Sequence, residues 1–181
     1  MAKSGRDNGI TSEVLFGGSC ACSRITYTST ALPDTCNVCH CITCQKLSGG
    51  PYHCYLQVAS KSITFYDHKE SLRYIGLPQD SIGGISILRL AKMGERAFCL
   101  DCHAPLAMRY RHEEGVFHLT LGSVDDKTIK DDRVRRALEP KTHIFTSQAA
   151  WWDGSIKDGL PAHARFGGTF EQDMEAWAEN N

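Results

Sequence analysis

The sequence predicts a mainly β domain built around bound metal, and three observations carry that expectation. Short segments that alternate apolar and polar residues and are rich in β-branched side chains recur along the chain, several bounded by Gly, Pro or Asp. Helical periodicity is scarce. Nine cysteines in 181 residues fall into tight groups, with Cys20 and Cys22 spaced C-x-C, Cys36, Cys39, Cys41 and Cys44 spaced C-x2-C-x-C-x2-C, and Cys99 and Cys102 spaced C-x2-C; Cys54 stands alone.

Residues 1–12 are polar and lack the apolar core of a secretory signal, which predicts a disordered leader on a cytoplasmic protein. Strands follow where the pattern alternates: Arg24 to Thr28, then 52–58, Ser62 to Tyr66, Ser71 to Ile75, 85–91, 95–98, 105–110, 116–121 and 142–146. Repeated short strands favour an antiparallel β domain over βαβ units. A turn of helix is expected over 42–47, and 127–138 carries a weak helical pattern. The clearest helix comes last, where Thr169 and Gln172 have capping-box spacing and Phe170, Met174 and Trp177 fall at i, i+4, i+7, a face read as packing on the core. No linker or repeat divides the chain, so 13–168 is expected to be one domain, with 169–181 a terminal helix and tail.

Charge and hydropathy exclude several classes. Twenty basic against twenty-one acidic residues give a formal charge of −1, which argues against binding nucleic acid mainly through phosphates. No apolar run approaches the ~20 residues of a membrane span. A chain of this length buries a sizeable core without covalent staples, and an odd number of cysteines cannot all pair within it. In a reducing compartment, clustered thiols point to metal or catalysis.

The spacings suit zinc. Tetrahedral zinc with Zn–S near 2.3 Å places two sulfurs about 3.8 Å apart, a separation that C-x-C and C-x2-C turns reach. A disulfide between i and i+2 would be strained. Cys20/Cys22 and Cys99/Cys102 are the natural halves of a closed structural site, since four thiolates saturate zinc and add folding energy. Cys39, Cys41 and Cys44 grip one metal from three sides, the arrangement of a catalytic zinc with an open position. From spacing alone, Cys36 closes that site as readily as it leaves it open, and His40 competes for it. Zn²⁺ with three thiolates is formally −1, so bound water is less acidified than at neutral-ligand sites, which favours a thiol or thiol-adduct substrate.

Four ordered motifs then carry a resemblance: Phe16-Gly17-Gly18-Ser19-Cys20-Ala21-Cys22; Cys39-His40-Cys41-Ile42-Thr43-Cys44-Gln45-Lys46-Leu47-Ser48-Gly49-Gly50; Phe98-Cys99-Leu100-Asp101-Cys102; and His143-Ile144-Phe145-Thr146-Ser147 with Trp151. Together they resemble the glutathione-dependent formaldehyde-activating enzyme family, which includes the centromere protein V-type members. The resemblance implies a zinc-bearing β-tent fold and reversible addition of glutathione to formaldehyde, a carbon–sulfur lyase reaction. It also implies that Cys20, Cys22, Cys99 and Cys102 hold a structural zinc and that Cys39, Cys41 and Cys44 hold a catalytic one, with no counterpart for Cys36. The family commonly has glycine directly after each structural half-site, where this chain has Ser23 and His103; glycine there permits φ > 0.

Beyond the metals, Ser48, Gly49 and Gly50 after the knuckle offer a close approach for substrate, and Lys46 and Arg73 are conceivable partners for glutathione carboxylates. His143, in the family's His-Ile-Phe stretch, is the leading candidate acid or base, with His53 second. Cys54 is read as packing, and Trp151 and Trp152 as pocket wall or core. The expected function is a zinc-dependent carbon–sulfur lyase acting on a glutathione or other thiol adduct of a small carbonyl compound, with two zincs per chain. The rivals are a zinc enzyme of specialised metabolism that does not use glutathione, and a non-catalytic zinc-stabilised binding module. A small-molecule partner is expected and a membrane is not, and an exposed edge strand leaves a homo-oligomer open.

Overall fold

The computed structural model describes residues 13–76 and 94–180. The leader expected over 1–12 and the strand expected over 85–91 lie outside the described residues. Among those described, ten strands form two sheets and three α-helices accompany them, so the expected mainly β class holds. No described helix is long and apolar enough to cross a membrane.

The smaller sheet is antiparallel, with β1 (Phe16–Ser19), β2 (Ile25–Ser29) and β5 (Ile63–Asp67) in the order β1-β2-β5. The larger contains β3 (Thr35–Cys39), β4 (His53–Ala59), β6 (Leu72–Gly76), β7 (Gly94–Cys99), β8 (Pro105–Tyr110), β9 (Val116–Thr120) and β10 (Thr142–Ile144). Its order is β10-β3-β4-β9-β8-β7-β6, antiparallel except that β10 runs parallel to β3. The helices are α1 (Ile42–Ser48), α2 (Asp132–Leu138) and α3 (Phe170–Glu179).

Two strands escape the sequence patterns. β1 reads Phe-Gly-Gly-Ser, poor strand material, yet its glycines are what let it pair: a Cβ at Gly17 would lie 2.7 Å from the Tyr27 carbonyl oxygen, and one at Gly18 2.2 Å from that of Ser123. β3 reads Thr-Cys-Asn-Val-Cys, so two cysteines and an asparagine outnumber its β-branched Thr35 and Val38 and break the alternation. Conversely, the weak pattern over 127–138 resolves into a shorter helix, α2, capped by the Asp131 carboxylate, which accepts from the Val134 amide at 2.8 Å.

Two apolar clusters result. Phe16, Ile25, Tyr27, Leu56, Val58, Leu106 and Leu119 fill the space between the sheets, joined by Val134 and Leu138 of α2. Cys39, Cys44, Tyr55, Met108 and Phe145 form a second cluster, with Phe166 packed against it. The second surrounds the site.

Candidate metal centre and active site

The β1–β2 turn supplies Cys20 and Cys22, and the β7–β8 turn supplies Cys99 and Cys102; their four sulfurs lie within 4.8 Å of one another. Cys20 and Cys22 are 3.5 Å apart and Cys22 and Cys99 3.8 Å, close to the ~3.8 Å edge of a zinc–sulfur tetrahedron. Both turns have the same build. The Ser23 amide donates to the Cys20 carbonyl at 2.9 Å and the His103 amide to that of Cys99 at 2.8 Å. The chain then turns through φ of 58° at Ser23 and 59° at His103, the left-handed values that favour glycine. Arg24 and Asp101 tie the turns by an ion pair, and Ser71 Oγ donates to Asp101 at 2.6 Å. This donor set fits a closed zinc.

Cys39 ends β3, Cys41 is the N-cap of α1, and Cys44 lies in its first turn; their sulfurs also converge within 4.8 Å. The Cys44 amide donates to Cys41 Sγ at 3.4 Å, so the helix terminus itself orients that sulfur. Hydrogen bonds from Cys39 and Cys44 push Cys41 down to about 3, while bonding to Cys41 and Cys44 and burial push Cys39 up. Three sulfurs converging in this way form a soft donor set of the kind thiophilic cations bind. The set fits zinc with three protein ligands.

Cys36 does not join them. Side chains alternate along a strand, and on β3 it is Thr35, Asn37 and Cys39 that line the cavity, while Cys36 is fully buried in the inter-sheet core opposite Leu56. Burial pushes its thiol up to about 12. Cys54 packs against the same core.

A cavity of about 410 Å³ opens from the trio across the face of the larger sheet. Register carries one row of its lining across five strands: Thr35, Gln57, His118, Met108 and Arg96. Tyr55 and Tyr110 add hydroxyls, Thr142 and Ile144 come from β10, and Phe145, Phe166 and Phe170 form an aromatic wall. Phe145 holds φ of 59° to enter it. Arg96 is buried on the cavity face of β7; burial opposes its charge, but Tyr55, Cys44 and Tyr110 around it hold its pKa above the usual guanidinium value.

The structure separates the other candidates from this cavity. His143 is buried but does not line it. Its neighbours Thr142 and Ile144 face the cavity, so alternation turns its ring the other way, where Nδ1 lies 2.8 Å from His40 Nε2 and Nε2 lies 3.1 Å from Asp158. His40 reaches Asp153 at 3.2 Å, so it braces the knuckle from behind. His53 lines a separate recess with Ser48 and Cys20, although its Nδ1 lies 3.1 Å from Tyr55 Oη, which is in the cavity wall. Burial lowers His53 to about 4.

Ser48, Gly49, Gly50 and Lys46 also lie off the cavity. Gly49, at φ of 70°, is the left-handed C-cap of α1, with its amide on the Gln45 carbonyl, while Ser48 Oγ caps its own loop; the ligands sit at the opposite end of the helix. Lys46 is exposed, and Arg73 is exposed and donates to the Glu70 and Leu72 carbonyls. Trp151 is 94% exposed and Trp152 57%, so neither is wall or core. The expected capping box at Thr169 is absent: its hydroxyl donates to Asp173 at 2.8 Å instead. Met174 of α3 is buried as expected, but Phe170 faces the cavity rather than plain core.

No curated protein matches the chain in sequence. A crystal structure of a Rhodobacter sphaeroides protein is similar to it with 12% identity and a TM-score of 0.46, over 61% of this chain and 88% of that one. The family model for the glutathione-dependent formaldehyde-activating enzyme matches residues 15–148, a span that holds all seven converging cysteines. By that match, the chain belongs to the glutathione-dependent formaldehyde-activating enzyme family.

Proposed function

We propose that the chain is a zinc-dependent carbon–sulfur lyase that makes and breaks the bond between a thiol, glutathione in the family's reaction, and the carbonyl carbon of a small compound such as formaldehyde. The observation that carries this reading is that Cys39, Cys41 and Cys44 converge at a cavity while Cys36 is turned into the core, which leaves a metal three protein ligands. Zinc held there supplies a Lewis acid that binds a thiolate or polarises a carbonyl oxygen.

The surrounding residues do the remaining work. The wall of Phe145, Phe166 and Phe170 excludes water, which strengthens every polar contact inside. Tyr55 Oη holds a proton on the cavity wall 3.9 Å from Cys44 Sγ, with the neutral His53 ring behind it to relay a proton back by exchanging its tautomer, taking one at one ring nitrogen as it gives one at the other. In the addition direction the S–C bond forms and the thiol proton ends on the carbonyl oxygen; Tyr55 donates to that oxygen as its charge develops. Cleavage runs the same path backwards.

Exchange spectroscopy of formaldehyde with glutathione tests the reading. The zinc-loaded protein is expected to accelerate hemithioacetal formation and Cys44→Ser to abolish the acceleration. Equal rates for both proteins would overturn it. Tyr55→Phe is expected to lower kcat about 10²-fold or more with metal content unchanged.

A further inference from the structure

Arg96 is not needed to hold a metal, yet it is the most conspicuous charge in the cavity. It is 9% exposed, and among the described residues its Nε has no hydrogen-bond partner. A buried guanidinium carries five donors in a planar fork, and leaving one unmet is costly unless something arrives to accept from it. Among the described residues, the acids nearby are committed elsewhere. Glu95, next to it on β7, pairs with Arg109 at 2.8 Å. Glu113 is 2.7 Å from His118 Nε2, and Asp173 accepts from Thr169 at 2.8 Å.

One wall of the cavity is flat and aromatic. Phe145 meets Phe166 edge-on at 4.6 Å, Phe166 stacks on Phe170 at 4.4 Å, and Tyr110 meets Phe170 at 5.0 Å. Such faces receive conjugated rings. Phe166 and Phe170, with Gly167, Thr169 and Asp173, belong to a stretch beyond residues 15–148, outside the span that the family model matches. Glutathione brings two carboxylates and an ammonium on a flexible backbone. Arg96 is the one lysine or arginine among the cavity-lining residues described.

We infer that Arg96 seats the carboxylate of a small, planar, conjugated or aromatic monoacid, whose body lies against Phe166, Phe170 and Tyr110 and whose carbonyl carbon is presented to the three-cysteine end. This names the carbonyl partner of the proposed reaction and rests on that reading for the reacting end alone. A guanidinium and a carboxylate form paired hydrogen bonds that a neutral amide cannot reproduce, so the charge sets the selection and the aromatic wall sets the shape.

Calorimetry with three probes tests it on the zinc-loaded protein without turnover: 1-naphthoate, 1-naphthamide and glutathione. The acid is expected to bind at least about tenfold more tightly than the amide. Arg96→Met is expected to erase that difference and Arg96→Lys to retain part of it. Phe170→Ala is expected to weaken both ring compounds. Equal affinities for acid and amide in the unaltered protein would overturn the proposal, and this comparison stands even where the methionine variant fails to fold. So would binding of glutathione alone, or an acid preference that survives Arg96→Met and is lost in Cys44→Ser, which would place the carboxylate on the metal. Failure of formaldehyde exchange with the acid preference intact would count against the lyase reading and leave Arg96's role standing.

Discussion

Ser23 and His103 hold left-handed backbone at the two turns that present the closed cysteine cluster, where glycine would sit without strain. A left-handed non-glycine residue costs about 1–2 kcal/mol, and a new glycine loosens the unfolded chain by about 0.4–1 kcal/mol. Ser23→Gly and His103→Gly are therefore each expected to raise stability by about 0.5–1 kcal/mol, read as denaturation midpoints at fixed zinc; lowered midpoints would contradict this. His53 gives a pH dependence. Its folded pKa near 4 lies below the ordinary histidine value of 6.5, so the unfolded chain binds the extra proton and stability falls as pH drops from about 6.5 toward 4. That loss is on the order of 1–3 kcal/mol, and His53→Gln is expected to flatten the slope over that window in metal-saturated protein. At this scale the sequence was legible wherever spacing alone determines contact, as in Cys20 with Cys22 or Cys41 with Cys44. It was illegible where a strand's facing decides. His143 and Cys36 lie beside cavity residues in sequence and point away from the cavity, while Arg96 carries no motif at all.

Among the elements, β1 depends on close approach rather than propensity. Gly18→Ala would press a methyl against the Ser123 carbonyl and the Tyr27 ring, both backbone or fully buried, so we expect a loss of about 1–3 kcal/mol by chemical denaturation. An unchanged midpoint would show that β1 can retreat. β3 and β1 were missed because their residues serve ligands and tight packing, which override β propensity. The parallel pairing of β10 with β3, Ile144 opposite Cys39, explains why a His-Ile-Phe stretch about a hundred residues downstream of the knuckle belongs to the same site. Helix α3 was read correctly as a helix, and its apolar face divides its duty. Met174 anchors it while Phe170 completes the cavity wall, a distinction periodicity does not encode.

For the molecule as a whole, the two cysteine clusters sit on different parts of the fold, and the proposed function gives them different jobs on that ground. The four-cysteine cluster joins the turn of the smaller sheet to a turn of the larger one and is complete in itself. The three-cysteine cluster ends one edge region of the larger sheet and opens on the cavity. The class of fold and both donor sets were readable from the order of the motifs; the cavity was not, because its walls come from six strands, two helices and the chain between them. The central claim is that Cys36 is core and that the second metal has three protein ligands. Zinc content measured on the purified protein, Cys36→Ser and Cys44→Ser tests it most directly. The account predicts two zincs per chain in the first two proteins and one in Cys44→Ser; one zinc in Cys36→Ser, or two in Cys44→Ser, would contradict it.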